Sequence, residues 1–525
     1  MNEWLNTHLF SPFILSSDGM MAHAGLPPVW TLAVLCAMAF SAIWVLRRQP
    51  LAHAHSRDIA SWPLFGAFSR WALRSPWVQT SFRLIVAAVF LLAIAAGLWG
   101  SDIPERNLAT TLTWTIWWTG VIVVVYFVGT AWCAVCPWDS IASWLVRRRL
   151  WRRGSETASL GLRVPRFLRS VWPAIVMFTA LTWFELGWGI TVDPYATAVL
   201  ALLFILLATF SQLLFERKAF CRYFCSVGRT IGTYAELSPV SLRPLKTDVC
   251  ASCKTLDCYH GNEKFEPCPT HLLMGTLQEN RYCTSCGACT FSCPHHNVTW
   301  RWQPHRVLEV GQQRLNSPEA WFILVLMSLT LFHGLTMLNA WDQLMHDLTA
   351  WLDNRGGRLL WGFSAGMALS MLVPIALYAI AIRLTQSLLP EQREFKRLFS
   401  FLALPLLPLA FSYHIAHNLT HLIRESRGIM QVMANPFGVN ALPLSMAEKH
   451  SRHMNPILAD DITFALQAML VVVGFYWSLR IMQRRISLVN TPQASWRHVS
   501  PVLGFILLTS LLSLWLLMQP MMVRM

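Results

Sequence analysis

Ten runs of about 20 predominantly apolar residues recur along this chain, near 28–46, 83–100, 110–130, 169–187, 194–215, 318–340, 358–382, 398–422, 462–482 and 499–519. Each is long enough to cross the hydrocarbon core of a bilayer. A backbone that leaves water must satisfy its own hydrogen bonds, so runs of this length are expected to be helices. Composition agrees: of 525 residues, 54% are hydrophobic and 13% charged, about half the charged share of a soluble domain. The first 27 residues contain no Lys or Arg. A positively charged leader is therefore not expected, and the first run should remain as a helix.

The net charge of +15 is carried by Lys and Arg clusters beside the apolar runs. That is the footprint of membrane topology rather than of nucleic-acid binding, and no nucleic-acid partner is expected. Arg47, Arg48, Arg57, Arg70, Arg74 and Arg83 lie between the first two runs. Arg147, Arg148, Arg149, Arg152, Arg153, Arg163, Arg166 and Arg169 lie between the third and fourth. Further basic clusters follow the seventh (Arg383, Arg393, Lys396, Arg397) and the ninth (Arg480, Arg484, Arg485, Arg497), whereas the alternate loops are mixed or acidic. With ten spans, every clearly basic loop falls on one side, which the positive-inside rule makes cytoplasmic. Both termini are then expected outside, in the periplasm of a bacterial inner membrane, and the segment after the fifth span inside.

That inner segment holds eight of the 13 cysteines. One group reads Cys283-x2-Cys286-x2-Cys289-x3-Cys293-Pro294. This is the bacterial ferredoxin run, in which three thiolates grip one cubane and the fourth ligates the other. The other group reads Cys250-x2-Cys253-x4-Cys258, with Cys268-Pro269 after an insertion. The exchange rule assigns Cys250, Cys253, Cys258 and Cys293 to one [4Fe–4S] cluster, and Cys283, Cys286, Cys289 and Cys268 to a second. Zinc is the alternative for any four-thiolate set; the tight triplet and the Cys-Pro endings favour the cubanes. Disulfides are not expected on a reducing side of the membrane.

Two further pairs close spans on the same side: Cys133-x2-Cys136-Pro137 after the third, and Cys221-x3-Cys225 after the fifth. At one depth, all four could meet in a single four-thiolate site holding a metal or supporting redox exchange. The alternative is interfacial packing. Cys36, alone in the first run, reads as a core residue.

At these residues, over roughly 83–310, the chain resembles the membrane polyferredoxin family typified by the NapH and NosR proteins of bacterial nitrate and nitrous oxide respiration. The resemblance implies membrane-bound electron transfer, often from quinol or in support of a periplasmic metalloenzyme. In that family the span-end motifs are C-x3-CP. Here Cys133 and Cys136 are two residues apart, Cys225 is followed by Ser226, and there is no counterpart of the flavin domain of NosR-like proteins.

The expected fold is thus a polytopic α-helical membrane protein of about ten spans with an inserted cytoplasmic dicluster ferredoxin-like α+β module. Residues 1–235 form a five-helix half, 236–312 the module and 313–525 a second five-helix half. In the second half, His414, His417 and His421 recur at i, i+3 and i+7, along one helical face near the outer surface. His333 should sit at similar depth. Ionisable residues within a membrane mark a functional path by default. Crossing about 30 Å of hydrocarbon needs a second carrier: a haem b held by two imidazoles, a copper site or a mobile quinone. An outer loop adds Met430, Met433, Met446, His450, His453 and Met454, donors suited to copper. The other reading of the histidine row is an interfacial polar face. Expected partners are membrane lipids and either quinone or redox proteins. The function expected is electron transfer; the alternative is an assembly or regulatory protein that supports a metalloenzyme.

Overall fold

The apolar runs fold as the helices their length demands. A computed structural model describes residues 13–15, 21–23, 25–48, 56–63, 66–147, 158–304, 306, 310–351, 360–390, 393–488 and 495–522; Arg148, Arg149, Arg152 and Arg153 lie outside them. Among the described residues, nine helices are long and apolar enough to span a membrane: α1 Pro28–Arg47, α2 Pro76–Trp99, α3 Leu108–Val128, α4 Pro194–Leu214, α5 Ser317–Leu335, α6 Trp361–Leu388, α7 Phe395–Ala434, α8 Asp460–Leu488 and α9 Ser500–Met518. Proline stands in the first turn of α1, α2, α4, α5 and α9. Its fixed φ suits that turn, and its missing N–H would have no helical partner there. Because Pro76 starts the helix, α2 begins well before residue 83 and carries Arg83 inside it.

The fourth expected span departs from the rule. It is a 12-residue α-helix, Trp172–Trp183, continued by a π-helical stretch, Phe184–Trp188, so nine helices rather than ten reach full spanning length. At 1.5 Å per residue it extends about 25 Å. Strand β2 (Met21–His23), just before α1, pairs with β1 (Phe13–Leu15) and with the C-terminal strand Met521–Met522. Leu26 N also donates to Leu517 O at 2.7 Å. The two chain ends therefore meet at one end of the bundle.

Burial sorts the helices. The most apolar windows of α5 and α7 are 78% and 89% buried, against 17% for α1. The first two are central, and α1 turns side chains such as Phe40 and Ile43 outward, as lipid contact requires. One cluster of buried apolar residues runs through both halves. Close approaches hold the centre: a Cβ on Gly334 of α5 would collide with the Tyr413 hydroxyl, and one on Gly474 of α8 with Ser412, the small-residue contacts typical of membrane helices. Helix α7 breaks at Leu404–Leu406, where Pro405 and Pro408 lack donors. Ser478 Oγ satisfies the freed Pro405 carbonyl at 2.6 Å.

Between α4 and α5 lies a small sheet. Strands β4 (Val240–Pro244) and β5 (Val298–Trp302) pair antiparallel and bracket the eight cysteines, with Val240 opposite Trp302 and Pro244 opposite Val298. A third strand, β3 (Arg57–Asp58), comes from the connection between α1 and α2 and adds to β5. Thr299 Oγ1 donates to Asp58 Oδ1 at 2.8 Å, tying the first loop to the cysteine segment.

Candidate functional site

The eight cysteines fall into two groups that cross the sequence order. Cys250, Cys253, Cys258 and Cys293 line one cavity of about 250 Å³. Asn297 fastens its most distant members: its backbone N–H donates to Cys293 Sγ at 3.4 Å, and its side-chain amide to Cys250 Sγ at 3.3 Å. The fit is close, since a Cβ on Gly275 would stand 2.8 Å from Cys250 Cβ. In the other group, Cys268 lies near enough to Cys283 and Cys289 to disfavour their ionisation, though burial pushes both thiols up more strongly. Cys268 Sγ accepts from Leu272 N at 3.3 Å, and Cys283 Sγ from Ser285 N at 3.4 Å. The groups adjoin, since Cys289 also feels Cys258.

Hydrogen bonds seat this segment on the helix ends. Gln79 of α2 donates to the Cys286 carbonyl at 2.8 Å, Thr130 and Ser285 share a hydroxyl bond of 2.7 Å, and Tyr282 donates to Glu319 of α5 at 2.7 Å. Glu236 is fully buried beneath it, accepting from the backbone N–H of Asn280 and Arg281, from Gln313 and from Arg306.

The span-end pairs converge. Cys133, Cys136, Cys221 and Cys225 line one small pocket. Cys136 ends the helix Ala131–Val135 where Pro137 opens the next. Cys221 sits in a π-helical stretch, Phe220–Phe224, and Cys225 caps the helix Ser226–Tyr234 by accepting from Gly228 N at 3.2 Å. Burial pushes the Cys133 thiol up to about 12 and Cys225 to about 11. Beside them Asp139 is ion-paired with Lys218; burial opposes its ionisation, but Lys218, Arg83 and Arg147 together outweigh that and hold the carboxyl low. Cys133 also feels Cys283, so this pocket abuts the second thiol group. None of these cysteines forms a disulfide. Among the described residues, no three His, Cys, Asp or Glu side chains gather tightly enough for a single ion. Thiolates on one zinc sit about 2.3 Å from it, hence about 3.8 Å apart; here the thiols surround spaces.

At the opposite end of the bundle, His333, His417 and His421 line a cavity of about 140 Å³ together with Glu185, Glu425 and Arg424. Two imidazoles meet carboxylates: His421 Nδ1 lies 2.6 Å from Glu425 Oε1, and His333 Nε2 lies 3.7 Å from Glu185 Oε2. His414 is not among the lining residues. It is buried one turn deeper, where its Nδ1 and the Tyr234 hydroxyl are 3.0 Å apart. In the segment 428–454, Met430, Met433, Met446 and Met454 are exposed, and Lys449 and Arg452, rather than these methionines, reach the cavity.

An apolar cavity of about 340 Å³ joins the two ends. It shares Trp114, Trp118 and Glu185 with the histidine cavity, and Trp132, Trp138 and Val227 with the four-thiol pocket. Ring contacts run its length: Trp118 to Trp117 at 5.9 Å, then Trp117 to Trp132 at 5.4 Å and to Trp138 at 5.6 Å. The π-helical stretch Thr111–Trp118 makes this possible. Its wider turn directs Trp114 and Thr115 to the histidine cavity and Ile116 and Trp117 to the apolar one; such turns often mark functional positions.

The sequence pattern did not flag Glu185, Glu425, Asp139, Lys218, Arg229 or the tryptophan series. Glu185 had a usable signal, a lone carboxylate inside an apolar run. Comparisons with protein-family models, with curated proteins and with solved structures find no match for this chain.

Proposed function

We propose that this chain is a membrane electron-transfer protein of the polyferredoxin kind, with two [4Fe–4S] clusters held by Cys250, Cys253, Cys258 and Cys293 and by Cys283, Cys286, Cys289 and Cys268. The observation that carries the reading is the juxtaposition of two four-thiol groups with a line of wall-sharing cavities that ends in paired imidazoles and carboxylates. The donor chemistry fits: thiolates are the ligands of such clusters, and N–H donors already face the sulfurs of Cys250, Cys268, Cys283 and Cys293. The clusters supply one-electron oxidation and reduction. The chain's own residues orient the sulfurs and fix the spacing to the helix ends.

At the far end the arrangement favours a mobile quinone over a bound haem or copper. His414 is engaged by Tyr234, and His333 and His421 by Glu185 and Glu425. A quinol oxidised to quinone yields two electrons and two protons, and the two imidazole–carboxylate pairs are acceptors for those protons. The adjoining tryptophan-lined cavity suits an apolar ring and tail. In the opposite direction the same groups return the protons. The distribution of basic loops supports a cytoplasmic position for the cysteine segment in a bacterial inner membrane.

Electron paramagnetic resonance of the reduced protein is expected to show two interacting [4Fe–4S] centres. Cys286→Ser should abolish one of them together with electron transfer; unchanged cluster content in that variant would overturn the reading. Asn297→Ala should lower the potential of the cluster that includes Cys250. Hydrogen bonds to a thiolate favour the more negative reduced state, and one such bond contributes about 1 kcal/mol, or about 40 mV for a one-electron couple. Potentiometric titration checks this, and a shift confined to the other cluster would count against the assignment.

A further inference from the structure

Between the cysteine segment and the tryptophan-lined cavity lies a third thiol group that the two-cluster reading does not use. We propose that Cys133, Cys136, Cys221 and Cys225 hold a two-iron, two-sulfide cluster, with Arg229 as its buried counter-charge.

Three observations carry this. The thiols arrive as two pairs, one from each of two helix ends, and line one pocket. A two-iron cluster takes two thiolates on each iron, so each helix end would supply one iron. The pocket encloses about 20 Å³ against about 250 Å³ beside Cys250, so the smaller kind of cluster suits it better than a third cubane.

Arg229 is the second, independent observation. It is 3% exposed and lines the same pocket. Its Nη1 and Nη2 donate to the Arg281 and Cys221 carbonyls at 2.8 and 2.9 Å, and its guanidinium stacks on Tyr282 at 4.7 Å. Its Nε is buried with no hydrogen-bond partner, and among the described residues it has no carboxylate partner. A buried cation without an anion is strongly disfavoured, whereas Asp139 beside it is already matched by Lys218. Metal-bound thiolates supply the missing negative charge.

Position is the third. Trp132 and Trp138 join this pocket to the apolar cavity, and Thr284 joins it to the second thiol group. A cluster held there would supply one-electron oxidation and reduction between the second thiol group and the tryptophan-lined cavity, with no bond made or broken. The choice of iron over zinc rests on the electron-transfer reading; the presence of a metal does not.

The test is metal analysis with resonance spectroscopy on the purified full-length protein. Two cubanes account for roughly eight irons per chain; the expected content is roughly two more, with a third reduced signal. The double variant Cys136→Ser, Cys221→Ser should lose only that excess and that signal, its remaining cubane signals reporting an intact fold. Arg229→Met should lower the potential of the third signal alone, and Arg229→Lys should restore part of it. Should the double variant not accumulate, alkylation of the wild-type protein decides. Cys36, which is exposed, should react with a membrane-permeant maleimide at once, and the four thiols only after chelation and unfolding. Iron that stays near eight, zinc at these thiols, a disulfide between them or ready alkylation would overturn the inference while leaving the cubanes standing. Loss of the cubane signals from the wild type would overturn the electron-transfer reading instead.

Discussion

Cys293→Ser is expected to destroy the proposed cluster on Cys250, Cys253 and Cys258, and to spare the one proposed on its own sequence neighbours Cys283, Cys286 and Cys289. About half of the cubane iron should go, with one of the two resonance signals, and electron flux should fall to background. The expectation rests on where the sulfur points rather than on where it lies in the chain. Asn297 donates to Cys293 through its backbone and to Cys250 through its side chain, and both thiols face the same cavity. Cys268→Ser should do the reverse, emptying the site of the tight triplet. If each serine instead removes the cluster of its own run, the crossed assignment is wrong. The pair of variants therefore tests the connectivity of the module separately from the presence of clusters.

Much of this was legible because cysteine spacing and apolar length are local properties. The crossed grouping follows from the three-plus-one motif, and the four span-end thiols meet because both pairs sit just past helix ends of equal depth. What failed depended on contacts between distant elements. At about 100° per residue, His417 and His421 point within about 40° of each other, so both reach one cavity, whereas His414 lies a turn deeper. There it meets Tyr234, on a short helix that follows α4, and no pattern within α7 announces that neighbour. Glu185 is hidden in the sequence by the apolarity of the run from 169 to 187. The π-helical stretch that ends it is what brings that carboxylate to His333. The strand Arg57–Asp58 is two residues long and has no periodicity to read. Arg229 looked like one basic residue among many near the membrane surface; only burial shows that its charge needs an answer from the thiols beside it.

Glu236→Ala is expected to loosen the cysteine segment from the helices more than any other single change outside the thiols. Burial opposes the ionisation of this carboxyl, and Arg281, Arg306, Gln313 and the Asn280 N–H together outweigh burial, holding it below the usual carboxylate range. Removing it leaves Arg306 buried with its principal anion gone, and removing one member of such a buried pair costs about 3–5 kcal/mol. The loss should appear as release of the cubane iron at lower temperature or denaturant than in the wild type. The sign of the pH dependence follows from the lowered value. The stabilisation is fully present above the ordinary carboxylate range near pH 4.3, and it is lost as pH falls through the lower value of the folded state. Glu236→Gln keeps an acceptor for the Asn280 and Arg281 N–H groups but cannot ionise, so it should be less stable at neutral pH and show a flatter acid limb. If the alanine variant holds its iron as tightly as the wild type, or if the glutamine variant keeps the full acid sensitivity, Glu236 is not the anchor of the segment.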